Sequence, residues 1–174
     1  MNLSPAVMNN TDKSNSKFHT CKNNWCLYSH LPHDTNWSID SYQNIIKIEY
    51  VEQLISIFDI IPDKMIKNCM LFFMRNNISP LWEDENNRNG GCFSYKISNN
   101  DVPHVWRNLC YLLIGDTLSK KKANITGLTI SPKKNFCIIK IWLGDCNNQD
   151  PHDINYFNGI DAHGCLFKKH LPEY

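Results

Sequence analysis

The sequence predicts an α+β fold in which an antiparallel β-sheet carries helices packed on one face. Segments typical of strands outnumber segments typical of helices. The two helical segments lie between groups of strands, an order that favours a single sheet with helices beside it. Two strand segments near residue 130 are joined by residues 132–135 alone, a connection short enough for an antiparallel pair.

The first half of the chain predicts three strands and one helix. Residues 25–28 carry an aromatic side chain at each end of a short run, and residues 42–51 alternate between apolar and polar types, so both are predicted strands. Apolar residues then recur at helical spacing from Val51 onwards, and Pro62 ends this helix. Residues 69–75 form an apolar run that is predicted to be a buried strand.

The second half predicts a further strand, a longer helix and a strand pair. Residues 92–98 alternate and are a predicted strand that leaves a glycine turn. A helix is expected to begin at Asp101, a candidate N-cap followed by a proline in the first turn, and to end near Gly115. Residues 125–131 and 136–143 then form the strand pair.

Length and composition indicate one globular domain. The chain has 174 residues, of which 42% are hydrophobic, enough for a substantial core. Residues 1–17 are polar and rich in Asn and Ser, so we expect a disordered tail followed by a single domain over residues 18–174. Residues 145–174 show little periodicity and are predicted to be mostly loop.

Charge and hydropathy limit the classes of function. The net charge is +1, which argues against broad neutralisation of nucleic-acid phosphates, so any nucleotide recognition must be local. No apolar segment approaches the roughly 20 residues that span a bilayer, and residues 1–17 lack the apolar region of a secretory signal. We therefore expect a cytoplasmic monomer without a membrane partner. The abundance of Asn, Ile and Lys indicates a coding bias toward A and T, as in a parasite or a large DNA virus.

The cysteines and histidines allow one alternative function. The 8 cysteines include no C-x-x-C pair and are expected to be reduced thiols. Cys21, Cys26, His30 and His33 are of the residue types that bind zinc, although their spacing is shorter than in the usual zinc finger. The alternative is therefore a small zinc-dependent nucleic-acid-binding protein. No motif of a cysteine or histidine enzyme, such as a nucleophile elbow, is present.

The stretch from Ser79 to Glu85 is the strongest candidate for a ligand site. Pro80 pushes the residue before it into extended backbone, so the stretch is predicted to be a loop that presents Trp82 and Glu83 side by side. An indole face and a carboxylate suit a flat cationic ring with adjacent N–H donors, such as guanine methylated at N7. The alternative is an acidic surface loop whose tryptophan is anchored in the core.

Tryptophans, glycines and one acidic block follow one another along residues 19–142 in an ordered pattern. They are Trp25, Trp37, Ser79-Pro80-Leu81-Trp82-Glu83-Asp84, Asn87, Gly90-Gly91, Trp106, Leu112-Leu113-Ile114-Gly115-Asp116, Gly127 and Ile139-Lys140-Ile141-Trp142. In this order and spacing the chain resembles the eukaryotic translation initiation factor 4E family, the mRNA cap-binding proteins. The resemblance implies a single curved antiparallel sheet with helices on its convex face and a cap-binding cleft on its concave face.

The resemblance implies roles for four residues around the cap base. Trp37 and Trp82 match the two indoles that stack on either side of the methylated guanine, and Trp142 matches the indole that contacts its N7-methyl group. Glu83 matches the carboxylate that accepts the N–H groups of the guanine edge, and the backbone N–H of Trp82 would donate to O6. Because a cap reader only holds its ligand, neither enzymatic activity nor a cofactor is expected.

Lysines are implied on the cap phosphates, with one departure from the family pattern. Lys133 lies where the family has a phosphate-binding arginine, and Lys134 is its alternate. The family's second phosphate-binding position is occupied by Ile138 here. Lys140 lies two residues before Trp142 and therefore on the same side of the predicted strand, so we expect it to bind phosphate instead. The alternative is that Lys140 faces solvent.

The surface on which the family binds its scaffold factor 4G is altered in this chain. The matching positions are His19, Val51, Ile55, Trp106 and Gly115. Ile55 replaces the tryptophan of that surface, and Arg107 and Asn108 replace its leucine and glutamate. We therefore expect either a co-evolved scaffold of the 4G type or a protein that binds caps without recruiting ribosomes.

The C-terminal part is expected to be shorter than the family pattern. After Trp142 we expect no third long helix, and residues 154–156 are a candidate for the family's late strand. Lys168 and Lys169 would then lie in or near the loop on the cap side. Cys92 lies where the family has an arginine behind the site, so the network that supports the binding geometry is expected to differ.

Overall fold

A computed structural model describes residues 18–172, so the predicted disordered tail over residues 1–17 lies outside the described residues. Over this range one antiparallel sheet has the strand order β2-β1-β3-β5-β6-β4-β7. Its strands are β1 (Thr20–His30), β2 (Gln43–Tyr50), β3 (Met70–Arg75), β4 (Gly91–Ser98), β5 (Ile125–Pro132), β6 (Phe136–Leu143) and β7 (Leu166–Lys169). The predicted fold class is confirmed.

Within residues 18–172, three α-helices accompany the sheet: α1 (Val51–Ile60), α2 (Asp63–Asn68) and α3 (Val102–Ile114). Their buried side chains share one core with alternate residues of the strands, for example Leu27, Phe73 and Ile139. Because successive side chains of a strand point to opposite faces, this core defines the helical face of the sheet. The described residues thus share one sheet and one principal core, which supports the proposal of a single domain over residues 18–174.

The opposite face of the sheet carries a smaller apolar cluster. Phe72, Met74, Cys92 and Trp142 form it, and Trp82 packs against it. These strand residues alternate in sequence with residues of the principal core, so they point away from the helices. The candidate ligand site is therefore expected on this face.

Two helix ends differ from the sequence prediction. Asp101 precedes α3 but has helical backbone angles, and its carboxylate accepts a hydrogen bond from the hydroxyl of Ser98 at 2.7 Å rather than from a helix N–H. Gly115 follows α3 with φ −77°, so it does not take the left-handed conformation typical of a terminal glycine. Asp116 has that conformation, with φ 57°, and the N–H of Thr117 then reaches the carbonyl of Leu112 at 2.9 Å.

Two further elements were wrong or missing in the sequence prediction. α2 was not predicted, because it has six residues, of which Ile66 alone is buried, too short for a periodic signal. Residues 154–156 are not the late strand, since Ile154 forms only an isolated bridge to Ser119. The last strand of the described residues is instead β7, which pairs with β4 at the sheet edge, so Lys168 and Lys169 belong to a strand rather than a loop.

The other structural expectations concern membranes and thiols. Within residues 18–172, no helix is long and apolar enough to cross a membrane. All eight cysteines are free thiols, and five of them are buried. Burial raises the pKa of the Cys110 thiol well above its ordinary value, so this side chain acts as a small apolar core residue.

Candidate functional site

A cavity of about 660 Å³ lies on the sheet face opposite the helices. Its lining includes Trp37, Trp82, Trp142, Tyr42, Glu83, Lys140 and several hydroxyl-bearing residues, among them Thr129 and Ser131. All four residues predicted at the cap base and Lys140 thus meet at one site. Strand alternation explains the floor, because Lys140 and Trp142 are two residues apart on β6 and share a face.

The loop that carries Trp82 and Glu83 is closed by two polar side chains. Asp84 accepts hydrogen bonds from the backbone N–H groups of Ser79 and Asn86, at 2.8 and 2.9 Å. The buried amide of Asn87 donates to the carbonyls of Ser79 and Leu81, at 3.0 and 2.8 Å. The predicted loop is confirmed, and its acidic block has two uses, because Asp84 folds the loop while Glu83 lines the cavity.

The charge of Asp84 and the size of Gly90 fix this loop further. Burial alone would raise the pKa of Asp84, but the N–H groups of Asn86 and Ser79 outweigh it, so the pKa lies below its usual value and the carboxylate is charged at neutral pH. A Cβ atom at Gly90 would lie 1.7 Å from the carbonyl oxygen of Leu143. Only glycine therefore allows the end of the loop to approach β6 this closely.

A histidine outside the predicted site supports Trp82. The imidazole of His170 lies nearly parallel to the indole, with ring centroids 5.4 Å apart and an interplanar angle of 14°. Its Nδ1–H donates to the carbonyl of Asn87 at 2.7 Å, and its ring is tilted against Trp142 at 5.0 Å. Burial, with Lys140 nearby, lowers the pKa of His170, so the ring is neutral at pH 7.

Trp37 has a second histidine beside it. The indole is 51% exposed and lies parallel to the imidazole of His30, with ring centroids 4.3 Å apart. Tyr42 packs against the same imidazole at 4.9 Å. Burial, together with the charge on Glu83, raises the pKa of Tyr42 to about 12, so the phenol is protonated at neutral pH.

Sequence patterns gave little signal for these two supporting histidines. His30 lies two residues beyond the strand predicted over residues 25–28, and its residue type indicated only a metal ligand. His170 lies in residues 145–174, which have no periodicity from which a strand and its neighbours could be predicted. His170 contacts Trp82 from a segment distant in the sequence, whereas His30 contacts Trp37 across the loop that follows β1.

The predicted phosphate-binding lysines are placed differently from one another. Lys140 lines the cavity, and its ammonium group lies 5.7 Å from the ring centroid of Trp82. Lys133 and Lys134 lie in the turn between β5 and β6 and are not among the lining residues. Lys133 lies directly after β5, the strand whose Thr129 and Ser131 line the cavity.

Cys92 occupies the floor beneath the site. It is paired in register with Trp142 of β6 and Lys168 of β7, and burial raises its pKa. Its thiol lies 3.8 Å from the hydroxyl of Ser94. A buried neutral thiol therefore stands at the position where the family resemblance implied an arginine.

The residues predicted on the partner surface differ in their exposure. Ile55 on α1 is 44% exposed, and His19 holds the start of the same helix, with Nδ1 2.6 Å from a carboxylate oxygen of Glu52 and its carbonyl accepting the N–H of Val51 at 2.9 Å. Gly115 is exposed after α3. Trp106 is fully buried, so the prediction that it lies on this surface was wrong. It is a core residue of α3, because it belongs to the helix face that packs on the sheet.

The zinc hypothesis is not supported by the geometry. Cys21, Cys26 and His30 all lie on β1, where the rise of about 3.3 Å per residue separates the first from the last by roughly 30 Å. One strand cannot bring these side chains to a single ion. The ring of His30 contacts Trp37 instead. Over residues 18–172, no three His, Cys, Asp or Glu side chains are grouped to hold a metal ion.

Comparisons with known proteins agree with this fold. The chain matches the family model described as eukaryotic initiation factor 4E over residues 13–157. It is 29% identical over 148 residues to translation initiation factor 4E-2 of Schizosaccharomyces pombe, an alignment that covers 81% of this chain and 60% of the relative. It is 24% identical over 150 residues to factor 4E-1 of Caenorhabditis elegans, covering 82% of this chain and 70% of the relative. The aligned part thus spans 60% to 70% of these relatives.

Solved structures show the same architecture. Caenorhabditis elegans eIF4E-3, in complex with the 4E-binding protein Mextli and a cap analog, superposes with a TM-score of 0.68 at 21% identity over 76% of this chain and 78% of that one. Ascaris suum eIF4E-3 with the m7G cap gives 0.67 at 21%, over 76% and 77%. At this identity the likeness is one of fold. The matched family comprises translation initiation factors, in agreement with the expectation of a non-enzymatic protein. The chain therefore belongs to the eukaryotic initiation factor 4E family, of which it is a divergent member.

Proposed function

We propose that this protein binds the 7-methylguanosine 5′ cap of mRNA, and that it acts in the cytoplasm in translation initiation or its control. The observation that carries the proposal is the meeting of Trp37, Trp82, Trp142 and Glu83 at one cavity. Membership of the initiation factor 4E family supports it. Solved structures of similar proteins hold the m7G cap or a cap analog, as their descriptions state.

The base stacks between Trp37 and Trp82. These indoles belong to two loops, one after β1 and one after β3, and both line the cavity. Stacking of a base on an aromatic side chain is worth about 1–3 kcal/mol. The positive charge of a guanine methylated at N7 adds a cation–π attraction of about 2 kcal/mol in a desolvated site, which unmethylated guanine lacks. Trp142 contacts the methyl group from the floor.

Glu83 identifies the base as guanine. Its carboxylate accepts the N1–H and N2–H groups together, a contact that adenine cannot supply. The backbone N–H of Trp82 donates to O6. A bidentate edge contact of this kind discriminates between bases by about 1–3 kcal/mol. The closure of the loop by Asp84 and Asn87 supports this role, because it orders the backbone that carries Glu83 before the ligand arrives.

The cap phosphates lie over β5 and β6. Lys140 is the lysine among the lining residues and supplies the nearest charge. Lys133 and Lys134, in the turn at the end of these strands, bind the more distant phosphates. Ser131 lines the same path, and its hydroxyl offers a neutral donor.

A scaffold of the 4G type is the proposed protein partner, bound through the altered surface around Ile55. The exposure of this residue on α1 supports the proposal. So does the complex of a similar protein, Caenorhabditis elegans eIF4E-3, with the 4E-binding protein Mextli. The alternative is that the altered surface binds no such scaffold, so that the protein competes for caps.

Tryptophan fluorescence tests the proposed cap binding. Wild-type protein is titrated with 7-methyl-GTP and with GTP, beside Glu83→Ala and the control Glu85→Ala, which changes an exposed acid of the same loop that is not part of the lining. We expect strong quenching by the methylated ligand only, lost in Glu83→Ala and kept in the control. An equal response to both ligands, or none, would contradict cap recognition.

A further inference from the structure

Of the two ring contacts of Trp37, the contact with His30 is the closer and the more nearly parallel. The imidazole of His30 lies 4.3 Å from the indole with an interplanar angle of 2°, whereas Tyr42 reaches the indole only at 6.5 Å and a tilt of 55°. Trp37 is 51% exposed, while His30 is 2% exposed. The buried imidazole of His30 therefore supports the exposed indole of Trp37.

His30 and the cavity lie on opposite sides of the Trp37 indole. Trp37 lines the cavity, and His30 is not among the lining residues. A parallel stack covers one face of the indole, so the imidazole covers the face that looks away from the cavity. The other face is left for the base that the proposed function places there.

His30 also holds the backbone next to Trp37. Its Nε2–H donates to the carbonyl of Asn36, the preceding residue, at 2.8 Å. The Asn36 side chain in turn accepts the N–H of Ser38, the following residue, at 2.9 Å. The peptide segment on both sides of the indole is therefore connected to His30, either directly or through Asn36.

The position of His30 is itself fixed by the sheet. As the last residue of β1 it is in register with Met70 of β3. Tyr42 packs on the imidazole at 4.9 Å and stands edge-on to Phe72 of β3 at 5.1 Å. The plane of the imidazole is thus set by the strands, and the plane of Trp37 follows it.

We propose, on the basis of the proposed function, that His30 is a positioning residue for ligand stacking. It holds Trp37 in the orientation that a cap base requires mainly through its stacked ring, while its Nε2–H contacts the backbone beside the indole. Without it, an exposed indole on a loop samples several rotamers, and the ligand must order it on binding. The cost applies equally to 7-methyl-GTP and to 7-methylguanosine, because the phosphate contacts involve other residues.

A mutational cycle between His30 and Trp37 tests the proposal, with 7-methyl-GTP affinity measured by titration calorimetry at ligand concentrations that saturate the weakened variants. The proteins are wild type, His30→Ala, Trp37→Ala and the double variant. His33→Ala is the control, because it removes an exposed imidazole from the same loop. We expect His30→Ala to weaken binding by about three- to tenfold, His33→Ala to leave it unchanged, and His30→Ala to add nothing once Trp37 is absent.

Two further variants separate the ring from the hydrogen bond. His30→Phe keeps a flat ring and loses the donor, and we expect it to restore affinity to within about twofold of wild type. His30→Asn keeps a donor and loses the ring, and we expect it to bind as weakly as His30→Ala. Thermal unfolding of each variant identifies any that do not fold, and the phenylalanine and asparagine variants carry the test if the alanine variant is one of them.

The outcomes distinguish this inference from the proposed function. Wild-type binding with unchanged affinity in His30→Ala or His30→Asn would overturn the role of His30 alone. So would an equal loss in the presence and absence of Trp37, since that would indicate a general structural effect. Absence of wild-type binding to 7-methyl-GTP would overturn the proposed function and this inference with it.

Discussion

The imidazole of His170 stacks on the indole of Trp82, with ring centroids 5.4 Å apart, and donates from Nδ1–H to the carbonyl of Asn87. Asn87 is also the residue whose side chain closes the Trp82 loop. The residue directly after β7 thus joins the last strand of the sheet to the loop at the centre of the candidate site. This relationship makes the stability of the site depend on one buried histidine.

The protein is expected to become less stable as the pH falls below about 6.5, the ordinary pKa of histidine. Burial lowers the pKa of His170 below its ordinary value of 6.5, so the unfolded chain binds the proton at a higher pH than the folded chain does. The contribution of neutral His170 to the free energy of unfolding is therefore fully present above about pH 6.5. It is lost as the pH falls toward the lowered pKa of His170. Urea unfolding at about pH 7.5 and about pH 5.5 measures the loss.

The matched variants for this experiment are His170→Gln and His163→Gln. The first removes the buried imidazole, and the second removes an exposed one from the preceding loop. We expect the difference in unfolding free energy between the two pH values to shrink in His170→Gln and to stay as in wild type in His163→Gln. An unchanged difference in His170→Gln would show that other groups cause the pH dependence.

Asn87→Ala is expected to destabilise the protein and weaken ligand binding together. The substitution removes the two hydrogen bonds to the carbonyls of Ser79 and Leu81 and leaves those groups without their partner. Loss of a buried partner costs about 1–3 kcal/mol of unfolding free energy. Urea unfolding and titration with 7-methyl-GTP measure both effects. Asn89→Ala, at an exposed position of the same loop, is expected to change neither.

The limits of the sequence prediction are visible in these two residues. Asn87 belongs to the ordered pattern of residues that carries the family resemblance, although the sequence alone assigned it no role. The role of His170 could not be predicted, because it depends on the pairing of β7 with β4. The strand β7 lies in a segment without periodicity. Most strand positions and the two long helices were predictable from alternation and helical spacing. The ring contacts that orient Trp37 and Trp82, one across a short loop and one between distant segments, have no such periodic pattern.

Lys140→Gln is expected to weaken binding of 7-methyl-GTP by about tenfold and binding of 7-methylguanosine much less, since a charged hydrogen bond contributes about 1.5–3 kcal/mol. The physical reason is that Lys140 lines the cavity and acts on the phosphates rather than on the base. Lys133→Gln and Lys134→Gln are expected to cost less, because both side chains are exposed in a turn.

The dependence of this binding on salt checks the same assignment. Affinity for 7-methyl-GTP is expected to fall with added salt in wild type and less steeply in Lys140→Gln. Lys64→Gln on α2, an exposed lysine away from the cavity, serves as the control. Equal weakening of 7-methylguanosine and 7-methyl-GTP binding in Lys140→Gln would contradict the assignment of Lys140 to the phosphates. The lysine would then support the base, in keeping with its position near Trp82.

Ile55→Trp is expected to increase binding to a helical peptide of the 4G type. Ile55 lies on α1 at the position where the family resemblance places a tryptophan, and it is 44% exposed, so a larger side chain fits without repacking the core. Tryptophan buries more apolar area against a peptide and is enriched among the residues that dominate interfaces. We expect a gain of about tenfold, which corresponds to ~1.4 kcal/mol.

Fluorescence anisotropy with a labelled peptide measures this gain, and Ile60→Trp is the matched control. Ile60 lies on the same helix and is 74% exposed, but it is not at a position of the predicted partner surface. A gain in both variants would indicate nonspecific apolar attachment rather than a restored contact. Tight binding by wild type would show that the altered surface still recognises a conventional scaffold. A gain in Ile55→Trp alone, from weak wild-type binding, would mean that loss of this tryptophan separates cap binding from scaffold recruitment in this protein.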